Sequence, residues 1–169
     1  MSPNRKTAPR RRGQPRTART WTEKLEPELE ARVERDGKVR KLLPTPMLVA
    51  EELKRVRIGQ LITPSELRAR LATRMRADTA CTRTTTRCLQ VLAGASEEAL
   101  RADKRAIAPW WRVVDDKGNL HDKSEPGVER QRKFLLAEGH ELSKSKSGKW
   151  KVVGFEPTRA AAARSPIRR

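Results

Sequence analysis

Apolar residues recur every three or four positions through the middle of the chain, which is the spacing of the buried face of an amphipathic helix. A first helix is predicted to begin after Thr45, with Pro46 at its first position, and to end at Gly59. A second begins after Thr63, where Glu66 three residues later completes a capping box. The pattern therefore predicts two short, well-capped helices joined by a brief apolar link.

The apolar spacing predicts three more helices and a final hairpin. A third helix begins within residues 82–86, a fourth covers residues 96–104, and a fifth covers residues 128–138 and is stopped by a glycine. Residues 140–142 and 149–155 flank a Ser/Lys/Gly turn and are expected to pair as a hairpin. The fold class is therefore mainly α with a small β component.

Three helices joined by short turns over residues 46–95 are typical of a helix-turn-helix module, whose last helix enters a DNA groove. The segment has nine basic and four acidic residues, and residues 82–87 add hydroxyls and two guanidiniums at a helix start, where phosphate binds well. We expect a winged-helix-like DNA-binding domain over residues 42–156. The alternative is a small three-helix core with solvated basic faces.

The segment before this domain, residues 21–41, has its own pattern. Leu25, Leu29 and Val33 recur at helical spacing, although Pro27 is compatible with helix only within the first turn. We therefore expect an amphipathic accessory segment that packs on the main domain.

Both ends of the chain are strongly basic. Residues 1–20 and 157–169 together contribute +11 of the net charge of +18, and neither contains an acidic residue. Rich in Pro, Ser, Thr, Ala and Arg, they cannot bury enough apolar surface to fold alone. They are predicted to be disordered arms that hold DNA or RNA by counterion release. The alternative is that this charge only keeps the protein soluble.

Composition excludes several classes. No apolar run approaches the ~20 residues of a membrane span, and no apolar segment follows the basic N-terminus as in a secretory signal. Cys81 and Cys88 lie seven residues apart without neighbouring histidines, which fits neither a disulfide framework nor a zinc site. We expect a cytoplasmic, nucleoid-associated protein with reduced cysteines, no metal and no cofactor.

Two of the four tryptophans stand together at residues 110 and 111, in a chain without tyrosine. Proline before them and two valines after them predict a tight corner followed by a buried strand. Two indoles at such a corner form either part of the core or a stacking surface.

Several stretches resemble the C-terminal domain of the alkylguanine-DNA alkyltransferases over roughly residues 46–142. Residues 109–114 read Pro-Trp-Trp-Arg-Val-Val where that family has Pro-Cys-His-Arg-Val-Val. Residues 118–120 supply the glycine turn, and residues 135–140, Leu-Leu-Ala-Glu-Gly-His, are similar to the end of the family's last helix. Residues 59–63 match the Gly-x-Val-x-Thr segment that leads into its helix-turn-helix.

The departures from this pattern concern the chemistry. In the enzymes a cysteine thiolate takes the alkyl group, a histidine activates the thiol and a glutamate orients the histidine. Trp110 occupies the cysteine position and Trp111 the histidine position, while Glu138 matches the glutamate. An indole has no ionisable nucleophile, so we expect no catalysis. Loss of cysteine to tryptophan resembles the alkyltransferase-like proteins, non-enzymatic sensors that flip an alkylated guanine, kink the DNA and pass it to nucleotide excision repair.

Other family positions match poorly. The tyrosine that turns the flipped nucleotide's phosphate aligns with Pro64, which has no hydroxyl. No Arg-Ala-Val-Gly segment supplies the arginine finger that replaces the flipped base. Arg83 or Arg87 is expected to take that part, and Arg83 is favoured because it lies nearer the helix start.

The resemblance thus implies a non-catalytic, monomeric protein that binds double-stranded DNA, recognises alkylated guanine by base flipping and signals to repair proteins. The first alternative is a basic architectural or regulatory DNA-binding protein in which Trp110 closes the pocket. The second alternative is a residual alkyltransferase, against which the Trp110–Trp111 pair argues because an indole has no ionisable nucleophile. The predicted lesion pocket comprises Pro109, Trp110, Trp111, Arg112 and Glu138, and the predicted DNA contacts are Thr63, Arg83, Thr84, Thr85, Thr86 and Arg87.

Overall fold

The computed structural model of the chain describes residues 19–121 and 126–157. The basic arms predicted for residues 1–20 and 157–169 lie almost entirely outside these ranges. The described elements, in order, are β1 (Arg32–Asp36), β2 (Val39–Leu43), α1 (Pro46–Lys54), α2 (Pro64–Arg74), β3 (Thr79–Ala80), α3 (Thr82–Arg101), α4 (Val128–Ala137), β4 (Leu142–Lys144) and β5 (Trp150–Val152). Two 3-10 turns, Glu23–Leu25 and Trp110–Arg112, complete them. The predicted mainly helical chain with a small β component is confirmed.

The first two helices begin where the sequence predicts. The Thr45 hydroxyl accepts the Leu48 N–H at 3.3 Å, and the Thr63 hydroxyl accepts the Glu66 N–H at 3.1 Å. Each threonine therefore satisfies one of the N–H groups that a helix start leaves without an internal partner. The second half of the predicted box does not form, because the Glu66 carboxylate pairs with Arg70 one turn later.

The prediction of separate third and fourth helices is wrong, because α3 runs without interruption for 20 residues. Gly94 sits in its middle, where glycine usually weakens a helix. The Trp21 indole lies directly over this glycine, and a Cβ there would come within 2.3 Å of the ring. Glycine at this position therefore leaves the space that the Trp21 ring occupies on α3.

The helical spacing of apolar residues within 21–41 does not correspond to a helix. The chain makes a 3-10 turn that buries Leu25, then an antiparallel hairpin of β1 and β2 with Gly37 in its two-residue turn at φ 64°. Leu29 and Val33 are 42% and 41% exposed, so they do not form the inner face of a helix. Pairing of β2 with β3 in parallel register stabilises strand here, and local apolar spacing could not reveal that partner.

The apolar side chains form two cores. The main core is built by β2 and helices α1, α2 and α3, and it includes Leu42, Leu53, Leu67, Leu71 and Leu92. The second core contains Val114, Leu120, Leu135 and Val152, with Trp111 and Trp150 packed against it. Helix α4 and the predicted hairpin, now β4 and β5, are both present. Among the described residues, no helix is long and apolar enough to span a membrane.

Residues 21–24, called the strap below, pack the start of the described chain against α3. The Glu98 carboxylate accepts the backbone N–H groups of Trp21 and Thr22 at 2.9 and 2.8 Å and the Thr22 hydroxyl at 2.7 Å. Lys24 lies 3.9 Å above the Trp21 ring. The strap thus occupies the C-terminal half of α3 and leaves its N-terminal half uncovered.

Candidate functional site

The tryptophan corner is a 3-10 turn held at both ends. The Ile62 N–H donates to the Arg112 carbonyl at 2.9 Å, and the Val114 N–H returns to the Ile62 carbonyl at 3.0 Å. On the other side, the Ser96 hydroxyl donates to the Ala108 carbonyl at 3.3 Å. The buried strand predicted after the corner is therefore reduced to a single parallel bridge between Ile62 and Val113.

The two indoles of the corner point in different directions. Successive residues of a 3-10 helix are rotated by about 120°, because three residues make one turn. The rings of Trp110 and Trp111 accordingly meet edge to face, with centroids 6.3 Å apart and planes at 83°. Each indole enters a different part of the molecule.

Trp110 lines an open cleft of about 490 Å³, part of which is solvent. The residue is 6% exposed, and its buried Nε1 has no hydrogen-bond acceptor among the described residues. The cleft lies between the corner, the first residue of α2 and one face of α3, and its other lining residues are Pro64, Thr86, Leu89, Gln90, Ala93, Val113 and His121. The walls are thus largely apolar, with a few polar groups.

The exposed face of α3 leads directly into this cleft. Thr82, Arg83, Thr86, Arg87 and Gln90 are exposed and lie on one side of the helix. Thr86 and Gln90 belong both to this face and to the cleft lining. From residue 91 to 97 every residue of α3 is buried, so the open face is confined to the helix's N-terminal half.

Arg83 and Arg87 differ from the arginines of α2. Arg70 pairs with Glu66, and Arg74 pairs with Glu51, each at 2.5 Å. No described residue forms a hydrogen bond or salt bridge with the guanidinium of Arg83 or of Arg87. These two guanidiniums are therefore available to an anionic partner.

Two of the predicted DNA contacts are buried. Thr63 is occupied by capping α2, and Thr85 is 1% exposed with its hydroxyl donating to the Cys81 carbonyl at 2.8 Å. Thr84 is half-buried and hydrogen-bonds to Cys81. Because Thr85 faces the main core, only Arg83, Thr86 and Arg87 of the predicted set present exposed side chains.

The predicted lesion pocket is divided by the structure. Trp110 lines the cleft, but Pro109, Trp111, Arg112 and Glu138 are not part of its lining. Trp111, Arg112 and Glu138 instead form a hydrogen-bonded group, called the Glu138 cluster below. The physical reason is the rotation between consecutive residues of the turn, which sends Trp111 toward α4.

The Glu138 cluster is fully hydrogen-bonded. The Trp111 Nε1–H donates to Glu138 at 2.8 Å, and Arg112 donates to both carboxylate oxygens through Nε at 3.1 and 3.0 Å and through Nη2 at 2.8 Å. Arg112 Nη1 also donates to the Val56 carbonyl. The Trp111 ring stacks on Phe134 at 4.2 Å with planes 18° apart. Trp111 thus keeps the link to the glutamate that the resemblance assigns to histidine.

Charge in this cluster is stabilised by its neighbours. Burial raises the pKa of Glu138, but hydrogen bonds from Arg112 and Trp111, the positive charge of Arg112 and the Gly59 backbone outweigh it. The net pKa lies below its ordinary value. Glu138 is therefore an ionised structural anchor.

Gln131 joins the cluster to the cleft. Its side-chain amide donates to the Trp111 and Val113 carbonyls at 3.0 and 2.7 Å, and its carbonyl accepts the His121 N–H at 3.0 Å. The side chain is 1% exposed. It fixes α4 to the corner and to the backbone that carries His121.

Neither cysteine lies in the cleft lining. Cys88 is buried and donates to the Pro44 carbonyl at 3.4 Å, and burial raises its pKa to about 12. Cys81 occupies the position before the first residue of α3, and hydrogen bonds with the Thr84 side chain and backbone lower its pKa. Both cysteines are free, and the described part of the chain contains no group of three potential metal ligands.

Sequence reasoning missed most of the cleft wall. Gln90 lies one helical turn after Thr86, so the periodicity of α3 could have identified it. Gln131 lies on the apolar side of α4 between Val128 and Leu135. A polar residue at such a position indicates a buried side chain that forms hydrogen bonds. His121 follows a loop, and no local signal places it beside Trp110.

Comparisons with known proteins give two structural likenesses. No protein-family model and no curated protein matches the chain. S. pombe Atl1 in complex with damaged DNA containing O6-carboxymethylguanine is 17% identical, with a TM-score of 0.48, over 72% of this chain and 94% of that one. S. pombe ATL in complex with DNA is 18% identical, with a TM-score of 0.44, over 63% and 85%. At these levels no residue's role is carried over.

Proposed function

We propose that this chain is a non-catalytic DNA-binding protein that receives a flipped alkylated guanine beside Trp110. The observation that carries the proposal is the continuity between the exposed face of α3 and the cleft: Thr86 and Gln90 belong to both. A helix that contacts DNA through this face would bring the cleft to the edge of the duplex. A base flipped out of the stack would then enter the cleft beside Trp110.

The exposed face of α3 has the chemistry of a groove-binding helix. Arginine contacts guanine edges and phosphates, glutamine contacts adenine, and threonine contacts either bases or the backbone. The guanidiniums of Arg83 and Arg87 have no protein partner among the described residues, and residues 46–95 carry an excess of five basic residues. Double-stranded DNA is therefore the partner that fits this face, in a helix-turn-helix arrangement of α2 and α3. Either arginine could fill the space that a flipped base leaves.

The cleft suits an aromatic guest. Extruding a base costs a few kcal/mol, least for a damaged base that pairs weakly, and stacking on an aromatic side chain returns ~1–3 kcal/mol. Trp110 offers such a ring, and Leu89, Ala93 and Val113 add apolar walls. The energetic balance therefore favours a weakly paired base over a normal one.

Several features support binding without catalysis. The corner carries indoles at the positions that the resemblance assigns to the thiol and its base. The buried Cys88 has a raised pKa, and Cys81 lies at the start of α3, outside the cleft lining. We propose that the protein belongs with the alkyltransferase-like sensors, acts as a monomer in the cytoplasm and hands the lesion to excision-repair proteins. The two S. pombe structures were solved with DNA, but the proposal rests on this chain's own residues.

One titration tests this function. A short duplex with a single O6-methylguanine and its undamaged twin are titrated with the protein at fixed salt, and methyl transfer to protein is monitored by mass spectrometry. We expect tighter binding of the methylated duplex and no transfer. Methyl transfer to the protein would instead show that the chain is an enzyme.

Equal affinities for both duplexes would instead support the architectural or regulatory alternative. The observation in its favour is the 6% exposure of Trp110, which leaves little of the ring open before DNA binds. In that case α3 would still bind duplexes, and Trp110→Ala would reduce stability without changing the ratio of the two affinities.

A further inference from the structure

The hairpin of β4 and β5 is densely basic. Residues 142–152 read Leu-Ser-Lys-Ser-Lys-Ser-Gly-Lys-Trp-Lys-Val and contain no acidic residue. All the lysines of this segment are exposed, and no described residue forms a hydrogen bond or salt bridge with any of their ammonium groups. Exposed lysines are ordinary on protein surfaces, so their position decides whether this charge meets a ligand.

Strand alternation divides these lysines between two faces of the hairpin. In the observed register Lys144 pairs with Trp150, and Ser143 pairs with Lys151. Trp150 packs against the second core and Lys144 lies 5.8 Å from its ring, so this pair occupies the inner face. Lys149 and Lys151 are two residues apart in an extended segment and lie with Ser143 on the outer face. They are called the lysine face below.

The lysine face lies on the same side of the molecule as the cleft wall. Lys151 stands opposite Asn119 in an antiparallel bridge. Leu120 belongs to the second core, so its neighbours Asn119 and His121 point to the other side of the chain. The Asp115 carboxylate links these two, because it accepts the Asn119 side-chain amide at 2.7 Å and interacts electrostatically with His121. His121 lines the cleft, so Lys151 shares a face with a residue of the cleft wall.

The segment between the hairpin and the cleft also touches the start of α2. The Ser65 hydroxyl donates to the Asp116 carboxylate at 3.3 Å, and Pro64, the first residue of α2, lines the cleft. Paired strands lie ~4.8 Å apart, so the strand that carries Lys151 is one strand spacing from the segment that enters the cleft. The lysine face therefore borders the mouth of the cleft.

We infer that the lysine face binds backbone phosphates of the DNA strand beside the cleft, an inference that rests on the proposed function. A base that leaves the stack rotates about its own backbone, so the phosphates of its strand remain at the mouth of the cleft. Lysine binds phosphate as a point charge and reads no sequence. The lysine face thus contributes affinity for any duplex, while the cleft beside Trp110 discriminates between bases.

The test uses two matched variants of the full chain, Lys151→Gln and the control Lys144→Gln. Each removes one exposed lysine charge from the same hairpin, but from opposite faces. Dissociation constants for the O6-methylguanine duplex and its undamaged twin are measured from about 0.05 to 0.3 M salt. Loss of one phosphate contact should reduce the slope of log affinity against log salt by ~0.9. We expect this reduction in Lys151→Gln for both duplexes alike, and a wild-type slope in Lys144→Gln.

Two further variants extend the series. Lys149→Gln combined with Lys151→Gln removes both charges of the lysine face and should reduce the slope by about twice as much. Lys151→Arg keeps the charge and should keep the wild-type slope, which separates lost charge from altered structure. In all variants the ratio of the affinities for the two duplexes should equal the wild-type ratio, because a backbone contact is the same in both.

Several outcomes would overturn the inference. A wild-type slope in the double variant would show that the lysine face does not meet phosphate. Equal reductions in Lys151→Gln and Lys144→Gln would show diffuse charge rather than a face directed at DNA. Weaker binding of the methylated duplex alone would place Lys151 at the lesion instead of the backbone. Equal wild-type affinities for the two duplexes would refute lesion recognition, and the slopes would still decide the role of the hairpin.

Discussion

Trp110 and Trp111 are neighbours in sequence and opposites in surroundings. Trp111 stacks on Phe134 and donates to Glu138, which in turn is held by Arg112. Trp110 is equally aromatic and nearly buried, yet its N–H is unpaired and its ring borders an open cleft. Trp111 is a structural residue whose N–H is bonded to Glu138, whereas the buried Trp110 N–H has no acceptor among the described residues. Hydrogen-bond satisfaction, rather than burial, separates the two roles.

The strongest way to challenge the comparison is to break the Glu138 cluster. Glu138→Gln removes the charge opposite Arg112, whose guanidinium is 10% exposed. Leaving a buried charge uncompensated costs about 3–5 kcal/mol, so the free energy of unfolding should fall by that amount in urea denaturation. Glu129→Gln serves as the control, because its pair with Arg132 is exposed and is worth at most ~1 kcal/mol. Equal small losses in both variants would show that the cluster is not an anchor.

The second test compares the tryptophans directly by matched substitutions. Trp110→Phe and Trp111→Phe remove the same atoms, but only the latter removes a hydrogen bond to a charged acceptor. Such bonds contribute ~1.5–3 kcal/mol, so Trp111→Phe should lower the free energy of unfolding by about that much more than Trp110→Phe. Denaturant unfolding of both variants measures the difference. A greater loss in Trp110→Phe would mean that its ring is the structural one.

The third and smallest effect is the pH dependence of the anchor. The lowered pKa of Glu138 means that its ionised form is stabilised in the folded state. This contribution is complete above the ordinary glutamate pKa and is lost as pH falls through the lower folded value. The stability gap between wild type and Glu138→Gln should therefore narrow as urea unfolding is followed from pH 6 to pH 3. The gap between wild type and Trp110→Phe should not follow this acid dependence, and a similar narrowing there would contradict the assignment.

Local signals predicted local structure well. The ends of helices depend on residues within one turn, so the sequence predicted them. Examples are the caps at Thr45 and Thr63 and the glycine after α4. The hairpin after α4 was readable for the same reason. The sequence patterns did not reveal structure that depends on distant partners. Strand β2 pairs with β3, and α3 runs through Gly94, over which the Trp21 ring packs.

The candidate site shows the same division. The family resemblance drew attention to Trp110, Arg112 and Glu138 but grouped them into one pocket. Whether a side chain joins a cleft or a core depends on its direction from the backbone, and the rotation of a 3-10 turn became evident only in three dimensions. Burial of Thr85 was similarly hidden, because two adjacent threonines differ only in the face of α3 that they occupy.

The absence of tyrosine from the chain makes the unpaired indole an optical reporter. Ultraviolet emission of the protein arises from four tryptophans. Trp21 and Trp150 lie under cations, and Trp111 is stacked on Phe134 and bonded to Glu138. Of the four tryptophans only Trp110 borders the cleft, so a base that stacks there would quench part of the total emission. Occupancy of the cleft can thus be followed by steady-state fluorescence without a label on either molecule.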